Sequence, residues 1–491
     1  MPSKVEGWKD EVYGEEVRDH LFRFAEEGWS AIPEDEHDAW FERFKWWGLY
    51  HQRKGQESYF MMRIGTPNGR MTPEQLRVVG EIAKEYATGP VDNPEFGDAY
   101  CDWTTRQSIQ LHWIQLQDVP EIFGKLEAHD LSTIQACGDS WRNIVGSPMA
   151  GRDADEHIDA WPVIRDLHDT FKGNDDHANL PRKWKVAVTG DTRGSGQAEI
   201  NDLGFEPATK DGQRGFNVTV GGGLSRKEPR FARDIDVFVT PETISQVAGG
   251  ISALFRDHGD REDRFNARIK FLVDEWGTEK LRRVLQAEYV DFELPTAGED
   301  LREEYTYNAG KADEAGDYVG VHDQVDGQNF VGLSVLVGRM GADDVIELAE
   351  LAEAYGSELV GLTQRQNIIV ADIADEDLEA FDIGLGGGLG ENPQFASWVE
   401  MRVAADEVPG YIRNLIEFFA DAREDGESFR EFIARHETET LTGLVEPEET
   451  SYTDPFMHNT KMTWYPYAEA DEMDASPAPT NDQGDPLPSD D

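Results

Sequence analysis

The hydrophobic positions of this chain change period in the same order twice. Tyr59-Phe-Met-Met-Arg-Ile suits a half-buried strand. From Pro73, apolar residues recur at Leu76, Val79, Ile82, Ala83 and Tyr86, one face of a helix. Thr72 is placed to cap that helix, Pro73 to fill its first turn and Gln75 to close a capping box. Beyond it Ile109, Leu111 and Trp113 alternate with Gln110 and His112, predicting a second half-buried strand. The succession returns as Phe330-Val-Gly-Leu-Ser-Val, then Gly338-Arg-Met, a helical face at Val345, Leu348, Leu351, Ala352 and Tyr355, and finally Gln364-Arg-Gln-Asn-Ile-Ile-Val. Gly69 and Gly338 are 269 positions apart, Arg106 and Arg365 only 259, so the first copy holds extra residues in the turn-rich stretch 89–99. Two strand–helix–strand units predict an α+β core with pseudo-twofold symmetry.

Between the copies, residues 119–301 form a long mixed segment. It has strand-like Lys185-Val-Ala-Val-Thr and Phe216-Asn-Val-Thr-Val and a helical run from Glu242 to Phe255. A shorter piece, 382–446, follows the second copy. Residues 447–491, rich in Pro, Asp, Ser and Asn, read as an acidic tail.

Charge changes the picture most. The chain has 98 acidic against 46 basic side chains, a formal charge of -52 spread over its whole length. Such self-repulsion opposes compaction in dilute buffer, and it fades when ~1 M salt shortens the Debye length to ~3 Å. A salt-rich cytoplasm is the expected setting. The 13 Trp, 24 Phe and 14 Tyr argue against a disordered acidic polymer. No basic stripe exists for nucleic acid, no apolar run suits a membrane span, and the charged N-terminus lacks a signal-peptide core. Two cysteines, Cys101 and Cys137, exclude a disulfide framework and any four-cysteine site within the chain.

Against this background the basic residues near glycines and strand ends stand out: Arg63, Arg70, Arg106, Arg142, Arg152, Arg182, Lys183, Lys185, Arg226 and Lys227. In Pro181-Arg-Lys-Trp-Lys, strand alternation puts Lys183 and Lys185 on one face and Trp184 on the other. Two converging ammonium groups repel unless an anion sits between them, although a solvated strand would also tolerate them. Val220-Gly-Gly-Gly-Leu-Ser and Leu385-Gly-Gly-Gly-Leu-Gly follow strands. Each suits either an anion-binding nest or a tight turn, and neither fits a dinucleotide fingerprint. Their recurrence suggests that part of the long segment is duplicated too. Arg142 and Asn143 are better site candidates than Cys137, and the histidines show no metal-ligand spacing.

Taken in order, Arg63, Thr105-Arg-Gln, Gly138-Asp with Arg142-Asn143, Pro181-Arg-Lys-Trp-Lys185, Val220-Gly-Gly-Gly-Leu-Ser225 and Arg365-Gln-Asn resemble the ferredoxin-dependent nitrite/sulfite reductase family over roughly Trp40 to Gly426. The stretch Phe41-Glu-Arg-Phe-Lys-Trp-Trp-Gly-Leu-Tyr-His-Gln-Arg is similar to that family's N-terminal approach. The resemblance implies two ferredoxin-like half-repeats, 46–118 and 315–381, behind an N-terminal helical extension, 1–45. They pack on one complete siroheme α/β domain, 119–301, and one truncated one, 382–446. It places Arg106, Gln110, Asn143, Gly221, Gly222, Gly223, Gln366 and Asn367 around siroheme. Arg63, Arg142, Lys183 and Lys185 fall on the substrate side, where cations bind the oxyanion and supply protons. Only the first copy carries the arginine at 63, since Gly332 is its repeat partner. The implied reaction is reduction of nitrite to ammonia, or sulfite to sulfide, with ferredoxin as donor. The family also places Cys-x5-Cys and Cys-x3-Cys in its second α/β module to bind a [4Fe–4S] cluster, and one of those thiolates ligates the siroheme iron. Here Phe381 runs directly into Asp382-Ile-Gly-Leu-Gly-Gly-Gly, and no such cysteines follow. The expectation is little turnover by this chain, the alternative being a non-catalytic siroheme-binding remnant or an incomplete gene product.

Overall fold

A computed structural model describes residues 3–52, 58–89, 96–154, 156–191, 194–225, 228–301, 318–378, 381–385, 397–403, 408–424, 427–436 and 440–441. Arg226, Lys227, the glycines at 386–388 and the tail from 447 lie outside them. The chain is α+β, and its centre is built twice. Strands Leu49–His51, Tyr59–Ile64, Ile109–Gln115 and Tyr100–Trp103 line up antiparallel in that order. Strands Gly320–Asp323, Asn329–Leu333, Ile368–Ile373 and Val360–Leu362 do the same in the second copy. Each sheet is completed by the other copy. Arg70–Met71 pairs with Val360–Leu362, and Arg339–Gly341 pairs with Tyr100–Trp103. This reciprocal exchange closes one edge of each sheet and makes the halves one body.

The backbone follows the repeat offsets. Asn68 and Val337 (φ 57° and 50°) are 269 apart; Gln107 and Gln366 (φ 51° and 66°) and Trp113 and Asp372 (φ 65° and 62°) are 259 apart. Left-handed conformations at matched non-glycine positions mean the turns, not merely the elements, are duplicated. At the twofold, Gln107 Nε2 donates to the Leu362 carbonyl (2.8 Å) and Gln366 Nε2 to that of Trp103 (2.8 Å). Gly69 (φ 71°) leaves no room for a Cβ, which would overlap the Leu362 carbonyl oxygen.

The helix over Pro73–Tyr86 has both capping-box bonds, Gln75 N–H to Thr72 Oγ1 (3.1 Å) and Thr72 N–H to Gln75 Oε1 (3.0 Å). Its partner, Ala342–Ala354, packs against it. Leu351 and Tyr355 do not join the buried face expected of them, being 49% and 46% exposed. The first helix is flanked by Val119–Glu127, and Lys125 covers the ring of Tyr86. After Ile373 the second copy continues as the short helix Asp375–Leu378. Trp113 also departs from expectation. Its left-handed backbone breaks the alternation, so Ile114 takes the buried place and Trp113 is half-buried.

The 119–301 segment forms its own five-stranded sheet. Strands Leu203–Lys210, Gln213–Val220 and Arg233–Val239 are antiparallel, Val186–Val188 is parallel to the first of them, and Glu299–Asp300 lies on the same side. Helices Trp161–Phe171, Ile244–His258 and Ile269–Val284 bury Leu167, Val247, Ile251 and Phe255 in the core shared with Phe205 and Phe216. Late in the chain a similar succession reappears. An antiparallel hairpin, Phe381–Leu385 with Ser397–Val403, precedes a 15-residue helix, Val408–Ala422, as the hairpin ending at Val239 precedes the 15-residue Ile244–His258. Tyr411, Leu415, Phe432, Ile433 and Leu441 form a small core of their own.

Candidate anion and tetrapyrrole site

Arg63 and Gln110 face each other across two neighbouring strands. Met62 and Ile64 point into the core, so Arg63 points away from it. With its amide oxygen turned toward Arg63, Gln110 accepts from Nε at 3.2 Å and from Nη2. Arg63 also lies over the Tyr50 ring, 5.5 Å from its centroid, and its Nη1 sits 3.5 Å from Cys137 Sγ.

The Ala136–Asn143 loop brings the next group. Arg142 donates from Nε to the Gly138 carbonyl (2.9 Å) and from Nη1 to that of Ala136 (3.2 Å), which fixes a buried guanidinium. Burial opposes its charge, but Tyr50, Cys137 and Asp139 outweigh that and raise its pKa. Asn143 Nδ2 donates to the carbonyls of Thr66 (2.8 Å), Arg106 (3.0 Å) and Gln107 (3.1 Å), binding two turns together, while its Oδ1 is sealed with no partner. Arg106 stands on the turn after Trp103. Its Nη1 donates to Asn201 Oδ1 (2.7 Å) and its Nη2 to the Val186 carbonyl (2.9 Å), and its buried Nε has no partner. Burial lowers its pKa to about 9, and Arg142, Arg268 and Arg63 repel its charge while Asp202 supports it.

Trp184 is fully buried against Phe255, leaving Lys183 and Lys185 together on the opposite side. Burial, then repulsion from Arg142, Arg268 and Arg182, takes Lys183 down to about 7. Lys185 is pulled well below its usual value by burial, Arg106, Arg268 and Lys183. Two residues not singled out from sequence belong to the same field. Arg268 grips the buried Asp202 through Nε (2.9 Å) and Nη2 (2.7 Å). Lys172, just past the Trp161–Phe171 helix, has a sealed Nζ without a hydrogen-bond partner and is brought to about 7 by burial, Arg142 and Arg106. A lysine at a helix C-terminus followed by glycine looks like ordinary solvated capping, so nothing in the sequence marks it.

The structure withdraws other cations from the cluster. Arg70 donates to the carbonyls of Pro148 (2.7 Å) and Ala150 and covers Trp161. Arg152 chelates Asp372 at 3.0 Å through each of two nitrogens. Arg182 joins Lys9 and Arg264 around the buried Asp139. Of the two readings open for the first glycine triplet, a nest or a tight turn, the turn is the one that its backbone bonds support. The N–H groups of Gly221, Gly222 and Gly223 donate to the carbonyls of Asp202 (2.9 Å), Asn201 (2.8 Å) and Arg230 (2.8 Å). These glycines act by closeness: a Cβ at Gly222 would stand 2.6 Å from the Asn201 carbonyl oxygen, and one at Gly223 would stand 3.3 Å from Arg268 Nη2. Gln366 bonds Trp103 as above. Asn367 Oδ1 accepts from the Val335 N–H (3.0 Å), so Gln366 is committed to the twofold and Asn367 to a bond within its own copy.

Mutually repelling guanidinium and ammonium groups, with sealed polar atoms at Arg106, Asn143 and Lys172, fit a ligand carrying several carboxylates together with a small anion. They do not fit an iron–sulfur cubane. The sequence has two cysteines, Cys101 is packed in a sheet core with its thiol pushed up by burial, and a cubane takes four thiolates. Among the described residues no group of three or more His, Cys, Asp or Glu could hold a metal, and no helix is long and apolar enough to cross a membrane.

Fold and site thus define an internally duplicated α+β protein in which cationic side chains from both the first repeat and the 119–301 segment are gathered together. Residues 137–293 match the Nitrite and sulphite reductase 4Fe-4S domain, and residues 51–92, 94–129 and 322–385 match the Nitrite/Sulfite reductase ferredoxin-like half domain. An assimilatory ferredoxin-dependent nitrite reductase of Haloferax mediterranei is 44% identical over 575 residues, covering 96% of this chain and 98% of that protein. That span exceeds the 491 residues here, so the relative carries residues facing gaps in this chain. Sulfite reductase [ferredoxin] 1 of Mycolicibacterium paratuberculosis is 34% identical over 78% of this chain and 67% of its own length. The solved structure of Mycobacterium tuberculosis NirA matches with a TM-score of 0.68 at 26% identity, covering 90% of this chain and 98% of that one. The chain belongs to the ferredoxin-dependent nitrite and sulfite reductase family.

Proposed function

We propose that this chain binds siroheme and a small oxyanion, nitrite in preference to sulfite, in the cationic cluster, and that it does not complete the ferredoxin-driven six-electron reduction alone. The observation that carries the reading is the gathering of Lys172, Lys183 and Lys185 beside fixed guanidiniums, with Lys172 Nζ, Arg106 Nε and Asn143 Oδ1 sealed and without partners, a field whose cost falls when anions enter. Arg106, Gln110 and Asn143 would hold the macrocycle, Gly221–Gly223 would keep the backbone close, and Gln366 and Asn367 would approach it from the second copy. Arg63, Arg142, Lys183 and Lys185 would face the oxyanion. When bound, siroheme supplies the iron at which the oxyanion is reduced.

The side chains have separable tasks. Gln110 orients Arg63, and the Gly138 and Ala136 carbonyls orient Arg142, so two charges meet the oxyanion without rearranging. Lys183, at about 7, exists in both protonation states near neutrality and can give up a proton and regain it. The preference for nitrite rests on the 44% identity to a nitrite reductase. The limit on turnover rests on having two cysteines where a cubane takes four. Domain boundaries at 46–118, 119–301, 315–381 and 382–446 accompany this reading, and ferredoxin is the donor it would take.

Reconstitution with siroheme tests it. The wild-type protein should show a Soret band at equimolar pigment, and Arg106→Ala should need at least about tenfold more, one lost charge-assisted bond being worth about 1.5–3 kcal/mol. A wild type that takes up no pigment overturns the binding reading. Ammonia formation from nitrite with reduced ferredoxin should stay at background, and steady turnover would overturn the limit placed on the chain.

A further inference from the structure

Gly65 looks onto three polar atoms. A Cβ built there would lie 3.6 Å from the Ser132 carbonyl oxygen, 3.8 Å from Lys172 Nζ and 3.9 Å from Asn143 Oδ1. Ser132 already accepts from the Gly65 N–H (2.9 Å) and has a second lone pair. The other two atoms are sealed from solvent and have no partner. One amine and two acceptors around the gap that glycine leaves are the setting of a buried water. Besides His168, one turn back on the helix that Lys172 follows and lowered by burial and by Lys172, the charged and titratable groups acting on Lys172 are Arg142 and Cys137 from one loop and Arg106 from the Thr104–Ser108 turn. Arg142 and Arg106 are also the guanidiniums of the anion site.

We propose that Lys172 is a positioning residue of the anion site: an anion entering beside Arg106 and Arg142 is accompanied by uptake of a proton at Lys172 Nζ, reached through a water held over Gly65 by Lys172, Asn143 and Ser132. An empty site leaves the amine facing two guanidiniums, and part of the population is neutral near pH 7. A bound anion offsets that repulsion and favours the ammonium. The proton comes from solvent, an N–H bond forms at Nζ, and no electrons move. By reciprocity, anion affinity falls as pH rises through the titration of Lys172. This inference rests on the anion site proposed above.

The test is the carbon-13 shift of Lys172 Cε in the full-length protein, assigned by its loss in Lys172→Arg, followed from pH 5.5 to 9.5. It is run without ligand, with saturating nitrite, and with the metal-free octacarboxylate tetrapyrrole. The Nε signals of Arg106 and Arg142 report binding independently. Without ligand the midpoint should fall near neutrality. It should rise by at least about one pH unit with whichever anion occupies the site, a tenfold linkage. The arm that moves it distinguishes oxyanion from macrocycle carboxylate. Gly65→Ala makes only ordinary contacts with these atoms, so it should fold, fill the gap and lose most of the shift. If the guanidinium signals respond while Lys172 stays put, the inference fails and the anion site stands. If neither anion moves the guanidiniums, both fail. A full shift in Gly65→Ala would overturn the water.

Discussion

Asp139 shows how little of a residue's role its neighbours in sequence reveal. It is buried between Lys9, Arg182 and Arg264 from three distant segments, at 3.4, 3.3 and 2.7 Å. Burial alone would raise its carboxyl, yet these cations hold it well below the usual carboxylate range. Replacing it with Asn removes the buried carboxylate that the three cations share, leaving Lys9 with Glu6 (2.6 Å) and Arg264 with Glu42 (3.8 Å). Asp139→Asn should therefore cost about 3–5 kcal/mol in urea unfolding, the range for breaking a buried ion pair from one side. Its contribution is present above the unfolded pKa and is lost as pH falls through the depressed folded value. The site lysines have the opposite sign. Lys172 and Lys183 are near 7 when folded and ~10.4 when unfolded, so between those values the unfolded chain binds more protons. Melting temperature should rise with pH from about 7 towards ~10, and Lys172→Met should flatten that rise. A rise unchanged in the variant would mean that Lys172 does not contribute.

At the scale of elements, the exchanged edge strands matter most. Arg70–Met71 and Arg339–Gly341 each complete the other copy's sheet, and the Gln107 and Gln366 amides lock the turns that deliver them. Gly69 sits at the start of one such strand with φ 71° and no space for a side chain. Gly69→Ala should destabilise the protein by at least about 2 kcal/mol, combining left-handed strain with a backbone clash, and should broaden the unfolding transition of both halves together. An alanine variant within about 0.5 kcal/mol of wild type would show that the exchange is not coupled to this turn. The helix start at Thr72 was legible because capping is local chemistry. The exposed Leu351 and Tyr355 were not, since a heptad-like pattern reports what a face could bury and not what lies opposite it. Trp113 departs from the expected alternation for a related reason: one left-handed residue inverts it.

For the whole molecule, the formal charge of -52 governs behaviour. Repulsion among 98 acidic groups is screened as salt rises, so the melting temperature should climb by ten degrees or more, on the order of several kcal/mol, between ~0.1 and ~2 M KCl. A scan in which KCl leaves the transition unmoved would exclude this control. The cationic site has the converse sign, for added salt weakens long-range attraction of anions while the sealed contacts around Arg106 and Arg142 persist. The sequence by itself determined the duplication, the capped helix and the α+β class, because each is written in local periodicity or spacing, and the order of its motifs carried the resemblance to the family. Only the tertiary structure decided which cations gather. Arg70, Arg152 and Arg182 find acceptors elsewhere, whereas Lys172 and Arg268 arrive from segments with no motif. The physical reason is that a charge's role depends on burial and on opposite charges reached through space, and neither is a property of the residues beside it in the chain.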